Sequence, residues 1–213
     1  SPTSRVTFQT ANGNPTSVNL TYDATVAANN YVLKLDSAQY ITFRGITVTA
    51  LNTTNGRAID MAAIASYDIV VNCRVIAPAN TGTATGVVGI FGRLVGTSNT
   101  IKGNTVIGGA QGIYFSGTSA TLVTTNNVID SNFVSGFNNN GVYVANSNYT
   151  SVSKNEVTML DTRAAIGYGV YANNLDSAYQ VNGNKVIGGA TTQTTYGIYG
   201  TGCGSNGYTG SVS

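Results

Sequence analysis

Apolar and polar residues recur along this chain in short units that return at a fixed interval. Gly-Ile/Val-Tyr comes back about every 28 residues, and apolar-x-x-Asn-x-apolar keeps the same step. Within both units apolar and polar residues alternate with the two-residue period of a β-strand. Clusters of Gly, Asn, Ser and Thr separate the units. A period of this length predicts stacked structural repeats. The first unit occupies Gly112–Tyr114, Gly141–Tyr143, Gly169–Tyr171 and Gly197–Tyr199.

A repeat of this length has room for three short strands and three turns. The economical arrangement is one coil per repeat, with each strand paired in parallel to the strand one coil away, about 4.8 Å along the axis. We therefore predict an all-β fold for residues 1–213: a single-stranded right-handed parallel β-helix (β-solenoid) with three strands per coil and about seven to eight coils. Leucine-rich repeats would need a Leu-x-x-Leu-x-Leu pattern, and propeller blades would need repeats of about 40 residues or more.

Strand alternation predicts the direction of the side chains. Ile113 and Phe115 should point into the core, and Tyr114 between them should point outward. The Asn of the second unit falls at a turn, where stacked amides can hydrogen-bond along the axis in a buried column. Cys73 takes the same place in an earlier repeat, as a small buried thiol. The predicted Asn column comprises Asn104, Asn132, Asn155 and Asn184.

Composition narrows the class of protein. With 42% hydrophobic residues in register and a net charge of +2, the chain does not fit the disordered class. Helix formers are scarce, whereas Thr, Val, Ile, Tyr and Asn dominate. Only 8% of residues are charged and no clear basic patch stands out, so we expect no nucleic-acid partner. No apolar run reaches the length of about 18 residues that a membrane span needs.

The two units together resemble the right-handed parallel β-helix repeat of pectate-lyase-like proteins, from about residue 31 to the end and more weakly before it. That superfamily includes polysaccharide lyases, glycoside hydrolases, phage tailspikes, adhesins and surface repeats. The low-charge, Thr/Asn-rich variety resembles large secreted surface repeat proteins of the Bacteroidota type. The resemblance implies a secreted or bacterial cell-surface location. Because the pattern is interrupted at both ends, we expect residues 1–213 to be a segment of a longer protein, flanked by further coils or domains.

Candidate catalytic chemistry is sparse. The chain has no His, which excludes Ser-His-Asp triads and His metal sites, and two Cys cannot form a zinc cluster. We therefore expect no metal and no cofactor, and we assign no catalytic residue. A glycosidase needs two carboxylates that flank the scissile bond. Asp36 and Asp176 share a Leu-Asp-Ser-Ala turn context. Three more acids, Asp23, Asp68 and Asp161, fall in different coils.

Other charges fall opposite one another on neighbouring coils, as cross-strand pairs do. The register predicts ion pairs between Lys34 and Asp60, Lys102 and Asp130, and Glu156 and Lys185.

The β-helix lyases that this repeat resembles use a Lys or Arg base with Ca²⁺ held by acids. The nearest group here is Lys154, Glu156, Asp161 and Arg163. We do not expect a lyase site there, because Glu156 should face Lys185 and the other acid lies in a Gly/Ala-rich turn.

The two cysteines should not be bonded to each other. Cys73 and Cys203 lie between four and five coils apart, about 20 Å along the axis at the strand spacing. A disulfide needs Cα atoms within about 7 Å.

Outward tyrosines are the better functional candidates. Such a column could stack sugar rings, because a Tyr side chain has an apolar ring and a polar tip. The alternative is that stacked aromatics only stabilise a parallel sheet. A second Tyr set is interpreted as turn-packing residues: Tyr40, Tyr67, Tyr149, Tyr179 and Tyr208. The candidate glycan contacts are Tyr114, Tyr143, Tyr171 and Tyr199.

Two functions stay open. The first is a non-catalytic segment of a large secreted or cell-surface protein, acting as a stalk, adhesin or glycan-contacting module, with a polysaccharide or surface glycan as partner. The second is part of a polysaccharide lyase or glycoside hydrolase whose active residues lie largely outside this chain. An acidic or basic cluster on one face of adjacent coils would favour the enzyme.

Overall fold

The computed structural model of the chain describes residues 4–94, 96–119, 123–189, 192–204 and 210–212. Its strands run through three parallel sheets in a repeating order, which we name A, B and C. Sheet A contains β1 (Val6–Gln9), β4 (Ile41–Arg44), β7 (Ile69–Val71), β10 (Thr100–Lys102), β14 (Val128–Asp130), β17 (Ser151–Ser153), β20 (Gln180–Asn182) and β23 (Ser211–Val212).

Sheet B contains β2 (Asn19–Tyr22), β5 (Thr47–Ala50), β8 (Arg74–Ile76), β11 (Thr105–Ile107), β15 (Phe133–Ser135), β18 (Glu156–Thr158) and β21 (Lys185–Ile187). Sheet C contains β3 (Tyr31–Asp36), β6 (Gly56–Ala62), β9 (Val87–Arg93), β12 (Gln111–Ser116), β16 (Asn140–Asn148), β19 (Gly167–Asp176) and β22 (Thr195–Thr201), and the short β13 (Thr124–Thr125) pairs with β16. Two 3₁₀ turns occupy Pro15–Ser17 and Ala27–Asn29.

The predicted parallel β-solenoid with three strands per coil is confirmed. Seven successive strands in sheet B define seven coils, hence six turns from the first to the last, which is the lower end of the predicted seven to eight coils. Each strand pairs in parallel and without a register shift, as β10, β14 and β17 show. No helix among the described residues is long and apolar enough to cross a membrane.

The core is a stack of inward columns, one from each sheet. β-Branched side chains suit these positions because they pack well on a pleated surface, and full burial of each contributes about 1.5–3 kcal/mol. As predicted, Ile113 and Phe115 are buried and Tyr114 between them points outward. The sheet A column is Val70, Ile101, Ile129, Val152 and Val181, and the sheet B column is Val75, Val106, Val134 and Val157.

Two corners of the coil turn through a left-handed residue in every repeat. Between sheets A and B, φ lies between 53° and 64° at Gly45, Asn72, Gly103, Ser131, Lys154 and Gly183. Between sheets C and A, φ lies between 52° and 61° at Tyr40, Tyr67, Ser98, Asn126, Tyr149 and Ala178. Tyr40, Tyr67 and Tyr149 are thus turn residues as predicted, and the rings of the first two stack at 4.9 Å. Tyr179 follows the turn by one residue, and Tyr208 lies outside the described residues.

Candidate functional site

The outward tyrosines of sheet C form the predicted column. Register pairs Tyr114 with Tyr143, Tyr143 with Tyr171, and Tyr171 with Tyr199. Neighbouring ring centroids in this column lie between 4.8 and 5.1 Å apart, one strand spacing. Each of the four side chains is half-buried, so the column is less open to solvent than we expected.

Ring orientation divides this column in two. Phe91, Tyr114 and Tyr143 stack with interplanar angles of 14° and 19°, so neighbouring rings cover each other's faces. The guanidinium carbon of Arg57 lies 3.6 Å from the Phe91 ring centroid and covers that ring by a cation–π contact. Between Phe91 and Tyr143 the stacked rings therefore offer edges and hydroxyls in place of faces.

At Tyr171 and Tyr199 the column lies beside a second row of tyrosines, which consists of Tyr168 and Tyr196. Tyr171 stands edge-on to Tyr143, at 83°, and stacks instead on Tyr168 at 4.8 Å and 26°. Tyr168 also stacks on Tyr196 at 5.1 Å and 11°. We name the four rings Tyr168, Tyr171, Tyr196 and Tyr199 the tyrosine tetrad.

Local sequence explains why the tetrad forms in these coils. Residues 168–171 read Tyr-Gly-Val-Tyr and residues 196–199 read Tyr-Gly-Ile-Tyr. In the first run close approach requires the glycine, since a Cβ on Gly169 would clash with Val186 Cγ1 and lie 2.6 Å from the Gly197 carbonyl oxygen. A Cβ on Gly197 would meet no atom within 4 Å. Sequence reasoning missed Tyr168 and Tyr196, although the second Tyr three residues before the column Tyr was a usable signal.

Earlier coils fill that second row differently. Gln111 and Asn140 pair in register with each other, and Asn140 with Tyr168. Asn140 Nδ2 donates to Gln111 Oε1 at 3.0 Å, and Gln111 Nε2 donates to the Thr83 carbonyl at 3.1 Å, so both amides are buried under a turn. The tetrad is consequently confined to β19 and β22.

The tetrad is partly exposed. Tyr196 is 38% exposed, and Ile166, two residues before Tyr168, is 44% exposed. Burial, followed by neighbouring tyrosines, raises the pKa of Tyr168 and of Tyr171 above the ordinary value. Their hydroxyls therefore stay protonated and can both donate and accept hydrogen bonds.

Polar side chains flank the rings without adding charge. Asn173 Nδ2 donates to the Tyr143 hydroxyl oxygen at 3.3 Å, and Asn173 pairs in register with Thr201. Across β12, β16, β19 and β22 the only charged residue is Asp176. The strands around the tetrad thus carry little charge and many hydrogen-bonding groups, and the nearby Arg163 is buried where it bonds Thr195 Oγ1.

At the corner between sheets A and B, the side chains of Asn104, Asn132, Asn155 and Asn184 are hydrogen-bonded in a continuous column. The Oδ1 atoms of Asn132, Asn155 and Asn184 each accept two hydrogen bonds from the Asn one coil earlier. Asn132 Oδ1, for example, accepts from the backbone N–H and Nδ2 of Asn104, both at 3.0 Å. Asn104, Asn132 and Asn155 are buried and Asn184 is half-buried. Cys73 continues the column through its backbone N–H, which donates to Asn104 Oδ1 at 2.9 Å.

A second polar ladder, which sequence reasoning missed, lies at the corner between sheets C and A. Ile41 N–H donates to Asp68 Oδ1 at 2.8 Å, and Asp68 N–H donates to Asn99 Oδ1 at 3.0 Å. Asn99 N–H in turn donates to Asn127 Oδ1 at 2.9 Å. The available signal was a polar residue directly before the first strand of the coil.

Two of three predicted ion pairs are confirmed. Lys102 Nζ lies 3.0 Å from Asp130 Oδ2, and Lys185 Nζ lies 3.4 Å from Glu156 Oε1.

The predicted pair between Lys34 and Asp60 is wrong, although register places the two residues side by side. Lys34 pairs with Asp36 at 2.7 Å, and Asp60 pairs with Arg57 at 2.8 Å. Both acids are thus neutralised by a cation of their own strand.

The lyase-like group does not assemble into a site. Glu156 pairs with Lys185, and Lys154 is an exposed turn residue. Arg163 is buried, donates to the Leu160 carbonyl at 2.9 Å and also bonds Thr195 Oγ1. Among the described residues no group of three or more His, Cys, Asp or Glu could hold a metal ion. Both cysteines are free thiols.

Comparisons with known proteins yield no family assignment: no protein-family model and no curated protein matches the chain. A glycoside hydrolase structure aligns with 84% of this chain and 34% of its own, with a TM-score of 0.44 and 13% identity. The Dettilon tailspike protein aligns with 92% of this chain and 60% of its own, with a TM-score of 0.29 and 13% identity. The chain thus spans about a third and three fifths of their lengths.

Proposed function

We propose that this chain is a non-catalytic β-solenoid segment of a large secreted or cell-surface protein of the pectate-lyase-like type, and that it contacts glycans through the tyrosine tetrad. The observation that carries this proposal is the tetrad's geometry. Four rings on two adjacent coils stand at mixed angles, from 11° between Tyr168 and Tyr196 to 71° between Tyr171 and Tyr199. They form a broad aromatic patch, in contrast to the continuous stack of Phe91, Tyr114 and Tyr143.

Sugar rings present CH faces and hydroxyls together. An aromatic ring with a polar tip suits that combination, since the ring packs on the CH face and the hydroxyl bonds a sugar hydroxyl. Asn173 and Thr201, paired in register on the next outward column, can add further hydrogen bonds. Because this part of sheet C carries a single charged residue, a neutral polysaccharide fits better than an acidic one.

The enzyme alternative finds less support in the acidic residues. Asp60, Asp130 and Glu156 are engaged in ion pairs. Asp68 is built into a buried ladder, and Asp23 accepts a hydrogen bond from Asn52 Nδ2 at 3.0 Å. Asp23, Asp68, Asp130 and Glu156 thus bond residues of neighbouring coils, and Asp60 pairs within its own strand. None of the pairs named here unites two carboxylates.

The test is retention on neutral-polysaccharide affinity gels and a glycan array. Tyr168→Ala combined with Tyr196→Ala should weaken retention about tenfold or more, because each aromatic contact contributes about 0.5–1.5 kcal/mol. Tyr149→Ala is the matched control: it removes an exposed Tyr at the corner between sheets C and A, away from the tetrad, and should leave retention unchanged.

Folding is monitored by β-type circular dichroism for each variant. A double variant that is folded and retained as strongly as the original chain would contradict the proposal, as would an original chain that no glycan retains. Either result would leave the tyrosines as structural residues of a stalk.

A further inference from the structure

Charged side chains gather along the corner between sheets A and B. Three positions of each coil meet there: the last residue of the sheet A strand, the left-handed turn residue, and the first outward residue of the sheet B strand. Across the seven coils these positions carry five cations and two anions, a local charge of +3, whereas the rest of the chain sums to −1. We name as the cationic edge Arg44, Arg74, Lys102, Lys154 and Lys185, together with Asp130 and Glu156.

Register fixes the order of these charges along the axis. Arg44 and Lys102 both pair with Val71, so they occupy one column two coils apart. Arg74 lies on the intervening coil, between Thr47 and Thr105 in sheet B. Lys154 and Lys185 continue the edge on the last two coils. From Arg44 to Lys185 there are five coil steps, a length of about 24 Å at the strand spacing.

The cations are the outer groups of this edge. In each ion pair the cation is the more exposed partner: the side chain of Lys102 is 56% exposed against 12% for Asp130, and that of Lys185 is 65% exposed against 43% for Glu156. Asp130 is further satisfied by Ser153 Oγ at 2.9 Å. Arg44 and Lys154 are exposed, and neither forms an ion pair with a described residue. An approaching surface therefore meets positive charge first.

We propose that the cationic edge docks the solenoid against a flat anionic surface, a lipid leaflet rich in phosphate headgroups. The corner is convex because a two-residue turn, whose first residue is left-handed, joins the strands of sheets A and B, as Lys154 and Asn155 join β17 to β18. A straight convex edge can lie along a plane with all its cations in contact, but it offers no groove to enclose a polymer. The tetrad on sheet C is left untouched by this contact.

Charge density separates this partner from nucleic acid. The edge has one net cation per about 8 Å, at the strand spacing, against one phosphate per about 1.7 Å of duplex DNA. Near an anionic leaflet each Lys or Arg strengthens binding about fivefold, and the effect decays within a Debye length of about 8 Å at physiological salt. Binding should therefore be weak, reversible and lost at high ionic strength.

The test is co-sedimentation of the chain with phosphatidylglycerol vesicles and with phosphatidylcholine vesicles at low salt. The double variant Arg44→Gln/Lys154→Gln should bind phosphatidylglycerol vesicles about 25-fold more weakly. Lys34→Gln/Arg93→Gln is the matched control, because it removes the same net charge from sheet C, off the edge. The control variant should bind phosphatidylglycerol vesicles as strongly as the original chain does. Neither of these two proteins should bind phosphatidylcholine vesicles.

Three results would overturn the proposal. In the first, the original chain fails to sediment with phosphatidylglycerol vesicles at low salt. In a second case the control loses as much binding as the edge variant, so that net charge alone decides. In a third the chain binds soluble heparin or polyphosphate but no vesicles, which assigns the edge to a soluble polyanion.

Discussion

Asn132 and Asn155 lie one coil apart and are joined by two hydrogen bonds to a single oxygen. Asn155 Oδ1 accepts from the backbone N–H of Asn132 at 3.0 Å and from its Nδ2 at 2.9 Å. Asn132 Nδ2 also donates to the Ile101 carbonyl at 3.0 Å, so one side chain links three coils. Because the site is buried, water cannot replace these partners, and their loss is costly.

Replacing Asn132 with Leu should lower the free energy of unfolding by about 1–3 kcal/mol, the cost of leaving buried turn groups unpaired. Asn182→Leu is the control, because that Asn lies on the outer face of sheet A and accepts from Ser211 Oγ at an exposed site. Its effect should stay within about 0.5 kcal/mol. Urea unfolding followed by circular dichroism measures both, and equal effects would refute a special role for the column.

Asp68 makes stability depend on pH. Burial raises the pKa of this carboxyl to about 6, from an ordinary value of 3.8, against the opposing effects of the Ile41 hydrogen bond and the Arg5 charge. Its Oδ2 is buried and has no hydrogen-bond partner among the described residues. The folded chain therefore binds the proton more tightly than the unfolded chain, so stability is highest below about pH 4 and falls as pH rises through 6.

Asp68→Asn should remove this dependence and stabilise the fold at pH 7 by up to about 3 kcal/mol, since no charge is then buried. Unfolding by urea at pH 4, 5, 6 and 7 measures the profile. Asp23→Asn is the control at an exposed acid and should keep the original profile. A variant profile parallel to that of the original chain would show that Asp68 does not titrate in this window.

The left-handed corner offers a stabilising substitution. Lys154 has a φ of 54°, a conformation that costs an L-residue about 1–2 kcal/mol and glycine almost nothing. Lys154→Gly should therefore raise the free energy of unfolding by about 1 kcal/mol.

Gly183, one coil further at the same corner, is the reverse case. A Cβ there would meet only Lys154 Cγ, at 3.8 Å, so Gly183→Ala tests the backbone conformation without a clash. It should destabilise by about 1 kcal/mol. Shifts in thermal midpoint of the same sign for both variants would contradict the left-handed assignment.

The two thiols should differ in reactivity. Cys73 is buried and its Sγ donates to the Val71 and Phe43 carbonyls, whereas Cys203 is half-buried. Burial raises the pKa of both thiols, so both should react slowly at neutral pH. An aromatic disulfide reagent should titrate Cys203 before Cys73 in the native chain, and both thiols in denaturant without reductant. Finding no thiol in denaturant would reveal a disulfide.

Much of the fold follows from the sequence because each repeat forms one coil, and the backbones of successive coils pair in parallel. Parallel strands stacked without a register shift place each residue one strand spacing from its counterpart in the next coil. A period of about 28 residues and alternation within each unit therefore determined the coils, the inward pair Ile113 and Phe115, the outward Tyr column and the Asn column. The ion pairs Lys102–Asp130 and Glu156–Lys185 follow from the same register.

Tertiary structure alone decided which partner each side chain contacts at those positions and how each ring is oriented. Lys34 had acids within reach on two coils, and exposed pairs differ by well under about 1 kcal/mol, so packing selected Asp36. Ring orientation is likewise a choice between rotamers of similar energy, which is why Tyr143 stacks on Tyr114 while Tyr171 turns to Tyr168. The periodic backbone fixes where a residue lies along the solenoid, and the local neighbours of each side chain determine which partner it contacts.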